Sequence, residues 1–351
     1  MGHAFRVRAQ RRIAPCGAVF GGTFGAVVNA TWLVFNGDAD GICAAHQLRL
    51  AGLEAGHVVT GVKRDIALLE RVDAQSGDRV VAADISLDAN RTALARVLAA
   101  GARVTWYDHH HAGEVPATAA LEAHIDTASD TCTSLIVDAQ LGGRFRPWAI
   151  VAAFGDNLVE VGQGLGRACG IGDVPLAAMR ELGELMNYNA YGENVADLHV
   201  APATLFARLA EYGDPADFIA RGDFVPQLRA GMAADLARAR GVAPLAADVV
   251  GAIVVLPAAD WARRVNGAFA NELVGEHPKR AHAVLVTMDQ GYLVSVRAPL
   301  VRPTGADALC RRFATGGGRA RAAGINYLSH ADLGRFCVLF GEQFAVPHAA
   351  G

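Results

Sequence analysis

From Thr31 onward, short apolar runs alternate with amphipathic stretches. That is the pattern of buried strands taking turns with helices. Residues 32–35 predict a strand, 41–51 a helix, and 57–62 a second strand followed by a helical stretch to about Val72. Residues 79–83 predict a third strand. Ser86 is placed to cap a helix whose Leu94, Val97 and Leu98 run to a stop at Gly101, and 103–107 predict a fourth strand. Strand–helix alternation with short loops predicts an α/β fold with a parallel, doubly wound sheet. Residues 174–242 then turn helical, with candidate helices at 176–186, 203–212 and 228–240 separated by Gly-Asp-Pro and Gly-Asp turns. A second α/β unit starts near Val249. It has a strand at 252–256, a helix at 262–274, a hairpin of 282–288 and 292–297 around Asp289-Gln290-Gly291, and a helix at 305–313. A glycine-rich stretch from Thr315 to Gly324 follows.

The expected organisation is therefore an irregular extension over 1–30, an α/β domain over 31–173, a helical connector over 174–245 and a smaller mixed α/β domain over 246–345. A length of 351 residues agrees with two domains at ~150 residues each. With 52% hydrophobic and 19% charged residues, the chain is not disordered as a whole. A net charge of -3 excludes a uniform nucleic-acid polycation. Lys63 and Lys279 are the only lysines, so nearly all positive charge is arginine, the better planar partner for phosphate. Cys16, Cys43, Cys132, Cys169, Cys310 and Cys337 form no CxxC pair, which argues against a zinc ribbon or a thioredoxin site. A reduced, cytoplasmic protein is the simplest reading. Arg6, Arg8, Arg11 and Arg12 precede an uncharged stretch over 13–37, as in a secretion signal or a membrane span. Gly17, Gly21, Gly22, Thr23, Gly25, Asn29 and Thr31 interrupt it, so an irregular extension, or a start codon assigned too far upstream, is the preferred reading and no membrane partner is expected.

Chemistry collects at the ends of four apolar segments. The first ends in Asn36-Gly37-Asp38-Ala39-Asp40-Gly41, the third strand in Asp84, the fourth in Asp108-His109-His110-His111, and the apolar run 148–154 in Gly155-Asp156-Asn157. In an open parallel sheet the loops at the carboxyl ends of the strands share one edge and form the ligand crevice. Crowded carboxylates repel one another unless a cation binds, and oxygen donors with imidazole suit Mn2+ first, with Mg2+ or Fe2+ as rivals. Two ions bridged by one carboxylate, ~3.5–4 Å apart, would hold a hydroxide for in-line attack on phosphorus. Any one of these aspartates alone is better read as a turn or cap; the four clusters together are not.

These motifs resemble the DHH phosphoesterases. Asp108-His109-His110 matches the namesake triplet, 36–41 the Asp-rich opening motif of RecJ-like exonucleases, Asp84 the second motif and Gly155-Asp156 the fourth. Gly316-Gly317-Gly318-Arg319 through Gly324, with Val294-Ser295-Val296-Arg297, resembles the DHH-associated C-terminal domain. The resemblance covers about Thr31 to Leu328 and implies a catalytic domain over 31–173 with a substrate-binding domain over 246–345. It implies that Asp38 and Asp84 hold a first ion and that Asp40, Asp84, His109 and Asp156 hold a second, with Asp84 bridging. It implies further that Asp108 orients His109 and that His110 stands beside the scissile phosphate as general acid or charge stabiliser. Arg297, Gly316, Gly317, Gly318 and Arg319 would bind substrate. His111, outside the triplet, reads as surface.

Two departures stand out. Where many members carry a histidine the chain has Val34, and where RecJ-like members carry an aspartate it has Asn36, a neutral and weaker metal ligand. The usual histidine of the glycine motif is Arg319, which keeps phosphate affinity without proton transfer. The glycines let backbone N–H groups approach phosphate, and Arg297, Arg302, Arg311, Arg312, Arg319 and Arg321 surround them. The expected activity is a metal-dependent phosphodiesterase on short single-stranded oligonucleotides or small nucleotides. The alternatives are a phosphomonoesterase or polyphosphatase acting on 3′-phosphoadenosine 5′-phosphate or polyphosphate, and a nucleotide sensor that has lost turnover. Homodimerisation is left open.

Overall fold

The computed structural model describes residues 29–345; most of the expected N-terminal extension lies outside the described residues. The first sheet runs in the order β2-β1-β3-β4-β5 and is parallel throughout. Its strands are β1 (Thr31–Phe35), β2 (His57–Thr60), β3 (Arg79–Ala83), β4 (Arg103–Asp108) and β5 (Leu121–Ile125). Alternation along β1 and β3 splits the side chains between two cores. Leu33, Phe35, Val81 and Ala83 face one layer, and Val34, Val80 and Ala82 the other. The second layer includes Leu94 and Val97 of α2 (Arg91–Ala99) and Trp106. The first holds α1 (Ala39–Leu50), α3 (Thr133–Gln140), α4 (Arg146–Gly155), α5 (Val159–Ala168) and α6 (Asp173–Asn189).

Ser86 does not cap α2 through its first turn: α2 starts five residues later, after turns in which Asn90 N–H bonds the Ser86 and Leu87 carbonyls. The apolar run 148–154 lies inside α4, a helix buried on every side. Its packing is close because glycine sits at the crossings. A Cβ on Gly155 would lie 2.4 Å from Ala39 Cβ, and one on Gly183 of α6 would lie 2.2 Å from the Val151 carbonyl oxygen.

The middle of the chain forms α6, α7 (Pro202–Leu209), α8 (Pro215–Arg221) and α9 (Phe224–Arg240). Leu176, Leu182, Leu205, Phe218 and Leu228 complete the core under α1 and α4, whereas Tyr188 joins a core of the C-terminal unit. The C-terminal sheet has the order β10-β11-β9-β8-β7-β6, from β6 (Ala246–Ala247), β7 (Gly251–Leu256), β8 (Ala281–Met288), β9 (Gly291–Arg297), β10 (Gly316–Arg319) and β11 (Ala322–Ser329). Only β7 and β8 are parallel, and β8–β9 is the expected hairpin. Residues of α10 (Asp260–Glu276) pack on one face, and those of α11 (Ala306–Cys310) and α12 (Leu333–Phe344) on the other. The connection is polar as well as apolar: Arg264 of α10 donates to Asp235 of α9 at 2.8 Å, and Tyr188 donates to the same carboxylate at 2.5 Å.

Candidate metal centre

The strand order 2-1-3-4-5 puts the topological switch point between β1 and β3, where ligands bind in sheets of this kind. Asp38 and Asp40 follow β1, Asp84 follows β3 and Asp108 ends β4. Asp156 is the C-cap of α4 rather than the end of a strand.

Each carboxylate is held by a different partner. Asp38 caps α1: its Oδ1 accepts from the Asp40 and Gly41 amides at 3.0 Å each, and its Oδ2 accepts from Lys63 Nζ at 2.5 Å. Burial alone would raise its pKa, but the Lys63 charge and these bonds hold it at about 2. Asp40 accepts from the Thr133 and Ser134 amides at 2.7 Å each, the first N–H groups of α3. Asp108 Oδ1 lies 2.7 Å from His110 Nδ1 and accepts from the His109 amide at 2.9 Å, while its Oδ2 is buried with no partner among the described residues. The carboxylate thus orients the ring of His110, not that of His109 as the family resemblance implies. This contact outweighs burial and raises the pKa of His110.

Asp84 occupies the left-handed region at φ 60. Its amide donates to the Tyr107 carbonyl at 3.0 Å, and Trp106 Nε1 donates to the Ile85 carbonyl at 3.1 Å, so β4 pins the turn on both sides. Burial, then the charges of Asp40, Asp38 and Asp108, push the Asp84 carboxyl far above the usual range. Thr133 Oγ1 donates to it at 3.1 Å, and His109 Nε2 stands 3.5 Å away. One donor atom each from Asp84, His109 and His110 lie within 4.8 Å of one another. Asp156, raised mainly by burial, faces this cluster and the C-terminal unit together: Arg319 comes to 3.6 Å, and Arg321 donates to the Asn157 carbonyl at 2.8 Å.

Asn36 is a clasp. Its Nδ2 donates to the Lys63 carbonyl at 3.0 Å and its Oδ1 accepts from the Asp38 amide at 3.2 Å, so its amide is committed to the backbone and not to an ion. His111 is exposed. The glycine stretch is a strand, not a loop, with Gly317 opposite Gly324 in the β10–β11 pair. Arg297 is tied to α10, donating to Asn271 Oδ1 at 2.6 Å and to the Gly267 carbonyl at 3.3 Å. Sequence reading passed over Lys63, Thr133, Ser134 and Asn187. A Thr-Ser pair opening a helix was a readable sign of amides free to bind an anion.

The arrangement matches solved structures. A DHH-domain protein described as a member of a ribosomal-protein family superposes with a TM-score of 0.59 at 12% identity, covering 90% of this chain and 86% of that one. RecJ from Thermus thermophilus in complex with Mn2+ gives a TM-score of 0.51 at 18% identity, covering 89% of this chain. The chain has the DHH fold. It spans about half of that RecJ chain (51%). No protein-family model and no curated protein sequence matches it. Within the DHH fold, the triplet 108–110 sits at the end of β4, and the glycine strand of the second unit reaches the end of α4 through Arg319 and Arg321. No helix among the described residues is long and apolar enough to cross a membrane.

Proposed function

We propose that the chain is a divalent-metal-dependent phosphoesterase that cleaves the phosphodiester of a nucleotide or of a short single-stranded oligonucleotide. The observation that carries this reading is the convergence of Asp84, His109 and His110 within 4.8 Å at the switch point of a DHH fold. The donor set fits a borderline divalent cation: a buried carboxylate with no cationic side chain hydrogen-bonded to it, imidazole nitrogen, and Asp156 alongside. Asp84, His109 and Asp156 would hold the ion, Mn2+ before Mg2+ or Fe2+. When bound it supplies Lewis-acid polarisation of the phosphoryl oxygen and an activated water.

The chain's own groups do the rest. His110, aimed by Asp108 and with its pKa raised by that contact, neutralises the phosphoryl oxygens or protonates the leaving oxygen. Arg319 and the open face of β10 at Gly317 hold the adjoining phosphate or nucleotide. A cavity of about 450 Å³ walled by Val62, Arg64, Asp65, Arg71, Glu193 and Asn194 has room for a base or sugar. A basic lobe opposite an acidic one suits a substrate with two anionic groups, one for the ion and one for the arginines. Buried thiols play no part: burial pushes Cys43 and Cys132 far up, so neither is a nucleophile at neutral pH. We place the protein in the cytoplasm, in keeping with free cysteines and no disulfide among the described residues.

The test is a hydrolysis panel with Mn2+, Mg2+ or Fe2+ on dinucleotides, longer single strands, cyclic dinucleotides, 3′-phosphoadenosine 5′-phosphate and polyphosphate, run beside Asp84→Ala and His110→Ala. Diester cleavage that disappears in Asp84→Ala and falls ~10²-fold or more in His110→Ala is the expected result. Activity unchanged in Asp84→Ala rejects the metal reading. Preference for the monoester or for polyphosphate replaces the substrate class, and binding without turnover in any metal makes the chain a sensor.

A further inference from the structure

We propose that the Lys63 ammonium is a resident cation of the centre, permanently paired with Asp38, so that the chain takes one divalent ion and not two. The inference rests on the metal-dependent reading above and sharpens it.

The geometry around Lys63 is that of a built ion pair, not a surface contact. Nζ sits between Asp38 Oδ2 and Asn187 Oδ1, at 2.5 and 3.0 Å, and lies 5.6 Å from the centroid of the Tyr191 ring. Its main chain is fixed on both sides: the amide donates to the Ala190 carbonyl at 3.0 Å and the carbonyl accepts from Asn36. The C-terminal end of α6 therefore holds the lysine in place while the β1 loop receives its charge. A helix C-terminus is also the end that favours a cation.

The other side of the pair is equally committed. Asp38 has both oxygens engaged, Oδ1 by two amides and Oδ2 by the ammonium. Asp40 has one helix amide on each oxygen. Asn36, the residue that would have to be anionic for a second divalent ion beside Asp38, is neutral and bonded to backbone groups. Charge is conserved by this combination. One carboxylate with one ammonium is neutral, as two carboxylates with one divalent ion would be. An ion entering beside Asp38 would face the ammonium at close range, and the neighbouring Asp84 would have to serve both ions at once. Asp84 and His109 carry no such lock and, with His110, keep donor atoms within 4.8 Å of one another for one ion, while Asp156 has the Arg319 guanidinium at 3.6 Å.

The experiment counts ions on the full chain. The metal-stripped protein is titrated with Mn2+ alone, by calorimetry for stoichiometry and by electron paramagnetic resonance for spin coupling between neighbouring ions. We expect one Mn2+ per chain with no exchange coupling, and none in Asp84→Asn. The double variant Asn36→Asp/Lys63→Ser, checked for folding by circular dichroism, should take a second ion and show the coupled spectrum; Asn36→Asp alone should stay at one. Two coupled ions in the unaltered chain overturn the proposal and leave the phosphoesterase reading standing. No ion at all overturns both. A folded double variant that still binds only one overturns the claim that the ammonium excludes the second. Because the readout is a count, loss of turnover in any variant does not decide it.

Discussion

Three adjacent glycines should respond to alanine in three different ways. A Cβ on Gly316 would lie 1.8 Å from the Cys310 carbonyl oxygen and 2.4 Å from its carbon. Backbone cannot step aside as a side-chain tip can, so β10 and α11 would have to separate, at a cost of about 3 kcal/mol or more. Gly318 sits at φ +133, a region almost closed to L side chains, and its Cβ would come 2.6 Å from Ala323 Cα. Strain of about 1–3 kcal/mol plus the overlap is expected there. Gly317 has nothing within 4 Å of its would-be Cβ and no positive φ. Gly317→Ala should be neutral, or stabilising by about 0.4–1 kcal/mol through the unfolded chain. At roughly 2–4 °C per kcal/mol for a unit of this size, thermal melts resolve the order Gly317→Ala, then Gly318→Ala, then Gly316→Ala. Only Gly317→Ala should leave a well-folded protein with a raised KM, because the methyl occupies the space open to substrate. A Gly317→Ala protein that melts below Gly316→Ala would refute the packing argument. Unchanged KM in a folded Gly317→Ala would refute the assignment of that face to substrate.

Other consequences are smaller in scope. Asp84→Asn should raise the melting temperature of the metal-free protein while abolishing the rise given by saturating Mn2+, a rise of about 2.7 kcal/mol at a hundred times Kd; asparagine tolerates the φ of 60, so the backbone is kept. For the same reason the metal-free wild type should gain stability as pH falls below the raised pKa of Asp84 toward the ordinary carboxylate range, because over that window the folded chain holds a proton that the unfolded chain has released. Trp106→Phe removes the donor to the Ile85 carbonyl and should cost about 1–3 kcal/mol in denaturant melts, with weaker Mn2+ binding because the Asp84 turn loosens. His282 is buried with neither ring nitrogen partnered among the described residues and its pKa is pushed down to about 4, so it favours folding above pH 6.5 and loses that advantage as pH falls toward 4. His282→Phe should flatten this part of the acid melt, a difference of at most about 3 kcal/mol.

The first sheet was legible because its strands are short apolar runs set between amphipathic helices, and β3 was read to its end residues. What failed has physical reasons. The run 148–154 carries no periodicity because α4 is buried all round, so pattern alone cannot tell it from a buried strand. β5, Leu-Glu-Ala-His-Ile at the sheet edge, is half exposed and shows no clear apolar face. The glycine stretch looks like a loop in one dimension and becomes a strand only through its partner β11. Within the site, the aspartates and histidines could be read because they end elements in order. Lys63 could not. It is one of two lysines, set in a loop, and its meaning comes from Asn187, 124 residues away, on a helix assigned to the connector.

The same inventory of partners supports the proposed place of the ion. Placing five carboxylates at one sheet edge is costly, and the fold offsets them one at a time. Helix amides serve Asp40, an ammonium and two amides serve Asp38, an imidazole and an amide serve Asp108, and a guanidinium from the other unit approaches Asp156. Among the described residues Asp84 accepts one side-chain hydrogen bond, from a threonine hydroxyl, with His109 at 3.5 Å. It is also the residue whose backbone stands in the strained left-handed region, held there by β4. A fold that merely tolerated its acidic edge would have relaxed that turn and paired that carboxylate. Keeping Asp84 strained, buried and short of positive charge makes sense when a cation supplied from solution completes it.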